Sequence, residues 1–251
     1  MAKAKQTADI KQHLLLSEIC NDKRMQHKGI YERYDLQNFS ADMSLQNYQI
    51  ASVQNAMIAL DCYMCYKDSE YRQNRGAKLY RIYQEKYKDF RLKESEINRA
   101  SFWMATGSGK TIVMIKLLSL LGKAMRDKII PNKPIMLLAP NDMILKQFKH
   151  NITRYNNYNG DYLSVRELKE YESVDNTSLL EETIVFIARS DLLDCKENIG
   201  KDKSAKRLDY KNYCNDCGWY ILLDEAHKGD SKDSIRKSYI NELACGDKQK
   251  D

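Results

Sequence analysis

The sequence has little proline: three residues in 251, none ahead of Pro131. Glycine is sparse too, at 10 residues, so loops are few or built from polar side chains. Long apolar runs are missing. The N-terminus offers only Leu14 to Leu16, too short for the apolar core of a secretory signal. Nothing approaches the roughly 18 apolar residues that a membrane-crossing helix needs. Membrane proteins, secreted scaffolds and fibrous repeats are therefore not expected. The seven cysteines are odd in number and scattered, which argues against a disulfide framework and for a reducing cytoplasm. Neither sign of charge dominates: 41 Lys and Arg against 35 Asp and Glu leave +6, which admits a polyanionic partner without requiring one. What is present suits a folded core. Hydrophobic residues make up 43% and charged residues 30%, enough for one large domain or two small ones.

Two regions differ in pattern. Residues 1–98 read as a helical N-terminal extension. Within it, Leu45 to Met64 spaces Ile50, Val53, Ala56, Met57 and Leu60 at helical intervals. Lys67 to Lys93 reads as a second long helix, broken near Gly76, with Leu79, Tyr83, Tyr87 and Phe90 on related turns. Its excess of basic residues reads as a solvated face rather than a nucleic-acid surface. From residue 99 to 251, short apolar strands alternate with helical stretches, the pattern of βαβ units on a mainly parallel sheet flanked by helices. The expected strands are Ser101 to Ala105, Pro134 to Ala139, Thr183 to Ala188 and Trp219 to Leu223. Gly122 reads as the C-cap of the helix after the first strand, and Asn141 or Asp142 as the N-cap of the helix after the second. The Lys-rich stretch from Asp191 to Gly218 reads as an exposed excursion.

The strongest chemical signal is Thr106-Gly107-Ser108-Gly109-Lys110-Thr111, set between an expected strand and a helix. Glycines let the backbone fold tightly and turn its N–H groups toward phosphate oxygens. The helix N-terminus adds partial positive charge. Lys110 can reach the β- and γ-phosphates, and the Thr111 hydroxyl can ligate Mg²⁺. The strict phosphate-loop pattern places glycine where this chain has Met104, so the formal match fails there. The second signal is Asp224-Glu225-Ala226-His227 at the end of the apolar run Trp219 to Leu223. A carboxylate at the carboxyl end of a buried strand can hold Mg²⁺. A glutamate after it can polarise the attacking water.

Together, these two segments resemble motifs I and II of superfamily 2 helicases and translocases, the DEAD/DEAH-box class. Leu138 to Asn141 with Gln147 resembles motif Ia. Leu45 to Gln49 resembles the upstream adenine-reading element. The stretch from Leu223 to Leu243 is similar to the segment after the DEAH box in Res subunits of type III restriction enzymes. The resemblance implies a RecA-like domain that uses ATP and Mg²⁺. By it, Thr106, Gly107, Ser108, Gly109 and Lys110 would bind the triphosphate, and Thr111 and Asp224 would position the metal. Lys110, Asp224 and Glu225 would carry the chemistry, with Glu225 acting on the water. His227 would couple nucleotide state to DNA, and Gln49 would read adenine. Pro140, Asn141 and Gln147 would lie near the DNA backbone. The implied partners are DNA and a modification (methyltransferase) subunit. Gln49 also fits an ordinary polar position on an amphipathic helix, and His227 an ordinary histidine ending a strand.

The departures set further expectations. Ala188-Arg189-Ser190 stands where the family carries a threonine-containing motif. The family's next strand, which lies between the phosphate-loop strand and the DEAH strand, does not follow before Asp251. Leaving two strands facing a gap would orphan several backbone groups at roughly 1–3 kcal/mol each, comparable to a domain's whole stability of roughly 5–15 kcal/mol. On that ground the chain is expected to be a truncated product or fragment, marginal alone. Two rivals stay open: a nucleotide-binding remnant that hydrolyses nothing, and the motor of another superfamily 2 enzyme, such as a type I restriction subunit. Cys62 and Cys65 with Cys214 and Cys217 could form a four-cysteine zinc site, but their separation far exceeds ribbon spacing, and the first pair also fits one turn of a core helix.

Overall fold

Helical spacing and short apolar runs resolve into six helices and eight strands among the described residues. These residues are 15–22, 32–64, 77–86, 97–173, 182–195, 207–226 and 235–246 of the computed structural model. The helices are α1 (Leu15–Cys20), α2 (Asn47–Met64), α3 (Ala77–Lys86), α4 (Lys110–Arg126), α5 (Asp142–Asn156) and α6 (Ile235–Cys245). The strands are β1 (Asn38–Ser40), β2 (Met43–Ser44), β3 (Ile135–Ala139), β4 (Tyr162–Glu167), β5 (Glu182–Arg189), β6 (Leu193–Asp194), β7 (Leu208–Asp209) and β8 (Tyr220–Leu223). No helix among them is long and apolar enough to cross a membrane. The chain divides into two compact units. One comprises Met1–Asn38, Ser44–Val113 and Asp127–Pro131; the other comprises Phe39–Met43, Met114–Arg126 and Asn132–Asp251.

In the first unit the apolar stripe of α2 does what its spacing predicts. Ile58, Ala59 and Cys62 bury against Ile19 and Cys20 of α1 and Leu79 and Ile82 of α3. Burial pushes the Cys20 thiol up to about 12, so this cysteine is a small hydrophobe and not a nucleophile. Its Sγ–H donates to Asn55 O at 3.4 Å. Of the long helix expected over Lys67 to Lys93, α3 is the described portion, and Cys65, Tyr87 and Phe90 lie outside the described residues.

The expected strand at Ser101 to Ala105 does not form. Trp103 is 88% exposed and Phe102 is 36% exposed. Apolar composition marks a segment that could be buried, but a strand also needs a neighbour for its N–H and C=O groups. These residues pair with no strand among those described.

The second unit is built on a parallel sheet in the order β4-β5-β3-β8. All five residues of β3 are buried, as a strand covered on both faces requires. Its register aligns Leu138 with Ala188 of β5 and with Leu223 of β8, so the carboxyl ends of the three strands lie level. α5 packs on β3, β4 and β5, and α6 on β8 and β6. Asn141 caps α5, its Oδ1 accepting from Ile144 N–H at 3.0 Å. One face of the sheet meets an aromatic cluster. The Trp219 ring centroid lies 4.6 Å from Tyr171 and 5.7 Å from Phe186, and its indole N–H donates to Tyr213 O at 2.7 Å.

Three further elements differ from the sequence expectation. β4 was not anticipated; it occupies a sheet edge, and its alternation is interrupted by the buried Ser164. The segment from Asp191 to Gly218 is not simply an exposed excursion, although 196–206 fall outside the described residues. Leu193, Tyr210 and Tyr213 are core residues, and β6 pairs with β7.

Gly122 is not a C-cap: α4 continues through it to Arg126. A Cβ at this position would lie 1.9 Å from Thr183 Oγ1 on β5. Thr183 cannot easily yield, because its hydroxyl accepts from Arg126 Nη1 at 2.8 Å. Glycine here serves the approach of helix to strand. Gly122→Ala is therefore expected to lower stability by roughly 1 kcal/mol, and by about 2 kcal/mol at most, since overpacking of about 1–3 kcal/mol outweighs a helix-propensity gain of about 1 kcal/mol. Urea unfolding measures this, and an unchanged or raised midpoint would count against the close approach.

A buried polar knot anchors α4 to α5 and the loop after it. Lys123 Nζ sits 3.1 Å from Asp161 Oδ1, Ser119 donates to Asp161, and the Tyr155 hydroxyl lies 2.9 Å from Asp161 Oδ2. Burial raises the Asp161 pKa, but those hydrogen bonds and the Lys123 charge outweigh it and hold the carboxyl below its usual range.

Candidate functional site

The loop after Ala105 has the backbone that its glycines allow. Gly107 has φ +78° and Gly109 has φ +80°, both in the region that favours glycine. Ser108 closes the turn: its N–H and its Oγ–H both donate to Ala105 O, at 3.1 and 2.6 Å. The chain then enters α4 at Lys110, and Ile112 N–H donates to Gly109 O at 3.0 Å. A tight turn carrying two left-handed glycines into a helix of 17 residues gathers backbone N–H groups where the helix dipole is positive. Lys110 Nζ donates to Met104 O at 3.2 Å, which folds its ammonium back over the loop.

Met104 is the departure from the strict pattern, and the structure supplies a reason that it is tolerated. Among the described non-glycine residues, positive φ occurs only at Lys128 and Glu225. Met104 therefore has ordinary backbone and needs no glycine. What it contributes to the loop is its carbonyl oxygen, which any residue carries.

Gln49 belongs to the same unit as this loop and touches it. Its Nε2–H donates to Ser108 O at 2.8 Å, and its Oε1 accepts from Gln46 N–H at 2.8 Å. The residue is only 7% exposed. Of its two amide protons and two acceptor lone pairs, one of each is used. The remaining pair matches the donor-and-acceptor edge of adenine in kind. Sequence reasoning missed Tyr48, whose hydroxyl donates to the same Ser108 O at 2.9 Å. No local signal could have found it, because the two residues are 60 apart in the chain.

In the second unit, the sheet register gathers a different set. Asp224 N–H donates to Leu138 O at 2.9 Å, so Asp224 continues the β8 ladder by one step. Pro140 and Asn141 follow β3, and Arg189 and Ser190 close β5, at the same carboxyl edge. Parallel sheets bind ligands beyond this edge. Glu225 sits at φ +54° and its N–H donates to Asp224 Oδ1 at 2.9 Å. A left-handed glutamate costs roughly 1–2 kcal/mol relative to ordinary backbone, the kind of strain that functional turns retain. Arg189 forms an ion-pair chain, 2.7 Å to Asp191 and 3.2 Å to Asp142. Asn141 is committed to capping α5. Gln147 is exposed on that helix, and its main-chain oxygen accepts from Asn151 Nδ2 at 2.9 Å. His227 lies outside the described residues.

Thr111 in the first unit and Asp224 in the second each carry a hard oxygen donor, the kind that Mg²⁺ prefers. Cys62 is buried in the helical core of the first unit, and Cys217 is exposed in the second. No group of three or more His, Cys, Asp or Glu residues is arranged to hold a metal among the described residues.

Compared with protein families, residues 42–245 match the family described as type III restriction enzyme, res subunit. No curated protein and no solved structure matches the chain.

Proposed function

The chain belongs to the family of the type III restriction enzyme res subunit, as a RecA-like, helicase-like ATP-binding domain, and on that premise we propose that it is the ATP-binding part of a DNA-dependent ATPase motor. In this reading residues 1–98 are a helical extension carrying the adenine-reading element, and 99–251 are the ATP-binding domain. Gly107 to Lys110 hold the triphosphate. Thr111 and Asp224 hold Mg²⁺, which when bound offsets phosphate charge. Glu225 accepts the proton of the attacking water, and Gln49 reads the base. His227 passes nucleotide state to DNA, and Pro140, Asn141 and Gln147 face its backbone. The partners are DNA and a modification subunit, in the cytoplasm.

The observation that supports this most is the loop itself: two left-handed glycines leading into α4, with the Lys110 ammonium folded over them. The test is ATP turnover by the full chain with and without duplex DNA. DNA-stimulated turnover that disappears in Lys110→Ala is the expected result. ATP binding with no turnover under either condition would replace the motor with a nucleotide-binding remnant. Absence of ATP binding would remove the reading altogether.

A further inference from the structure

Two donors from the first turn of α2 converge on one carbonyl of the phosphate loop. Tyr48 Oη–H and Gln49 Nε2–H both donate to Ser108 O, at 2.9 and 2.8 Å. A carbonyl oxygen has two lone pairs, so both bonds can be made together. Ser108 C=O and Gly109 N–H belong to one peptide unit, and in a trans peptide these groups point in opposite directions. Drawing the oxygen toward α2 therefore turns Gly109 N–H away from α2. The approach is close enough to demand glycine: a Cβ on Gly109 would lie 2.5 Å from Gln49 Nε2. Gln49 is buried and doubly bonded, so it holds its place without help. Tyr48 is 51% exposed, and its hydroxyl is tied to this one oxygen.

We propose that Tyr48 is a positioning residue for triphosphate binding: its hydroxyl, acting with Gln49, fixes the Ser108–Gly109 peptide so that the Gly109 N–H is presented to a phosphate oxygen. This rests on the phosphate-loop reading above. It assigns Tyr48 to the phosphates and not to the base, which separates it from Gln49. The clamp also joins the two jobs, because the amide that would read the base already grips the loop that holds the phosphates.

The experiment uses the full chain with Mg²⁺ and three probes: ATP, GTP and inorganic tripolyphosphate, which has phosphates and no base. Tyr48→Phe keeps the ring and removes the hydroxyl. It is expected to weaken all three by about fivefold, the size of one net hydrogen bond, with the ATP-to-GTP ratio unchanged and the thermal transition lowered by a few degrees at most. Gln49→Ala is expected to weaken all three and also to shift the ATP-to-GTP ratio. The proposal is overturned if Tyr48→Phe binds tripolyphosphate within twofold of the parent while Lys110→Ala loses it. It is equally overturned if the Tyr48→Phe loss is confined to ATP, or if the variant no longer shows a cooperative thermal transition. If Lys110→Ala itself leaves tripolyphosphate binding intact, the phosphate-loop reading fails and takes this proposal with it.

Discussion

Lys110→Ala is expected to weaken ATP binding by roughly two orders of magnitude. The side chain is half-buried, and its ammonium bonds Met104 O at 3.2 Å. That bond is a single resting contact with a neutral acceptor, and its loss costs about 1.5 kcal/mol of stability, the low end for a charged donor. A triphosphate offers charged oxygens instead. Each hydrogen bond from an ammonium to a charged partner contributes about 1.5–3 kcal/mol, and at about 1.4 kcal/mol per tenfold two of them suffice for the stated loss. The two measurements should therefore diverge: a small shift in the unfolding midpoint and a large fall in affinity by titration calorimetry. Lys110→Arg should not restore binding fully, because a planar fork cannot replace a compact point charge at the entrance to a tight turn. An alanine variant that binds ATP within threefold of the parent would show that the loop does not hold the phosphates through Lys110.

The loop was legible in the sequence because its determinants are local. Two glycines, a lysine and a threonine within six residues set the turn and the helix start without help from distant residues. The same holds for β3, whose five apolar residues announce burial on both faces, and for Asn141, which caps a helix three residues on. What stayed hidden depends on partners far away in the chain. Phe102 to Ala105 is as apolar as β3 but lacks a ladder neighbour among the described residues, and Trp103 remains in solvent. Gly122 looks like a helix terminator until Thr183 is set against it. Tyr48 looks like an ordinary helix residue until Ser108 O lies beside its hydroxyl. Composition reports what a segment could bury; topology decides what it meets. At the site the division follows distance along the chain. The turn and helix start could be read directly, whereas the contacts from α2 could be seen only once both segments were folded together in the first unit.

Glu225→Gln is expected to separate binding from turnover. The substitution keeps size and hydrogen-bonding capacity but removes the base, so ATP affinity should stay within about threefold while kcat falls roughly 10²–10⁴-fold, the contribution of a positioned general base. The backbone adds an independent handle. Glu225 occupies φ +54°, where a side chain costs roughly 1–2 kcal/mol and glycine costs nothing. Glycine in turn loses about 0.4–1 kcal/mol through the greater freedom of the unfolded chain. The first effect is the larger or equal one, so Glu225→Gly should leave the fold as stable or more stable by up to about 1.6 kcal/mol, and yet be as inactive as the glutamine variant. A residue kept for packing would behave in the opposite way, with the strained side chain stabilising the fold and its removal lowering the midpoint. Stability gained as turnover is lost, seen by urea unfolding beside phosphate-release kinetics, would mean that the carboxylate is held in an unfavourable backbone for its chemistry. Turnover retained by Glu225→Gln would take the water-activating role away from this residue and leave Asp224, bonded to the end of the β3 ladder, as the acidic group to test next.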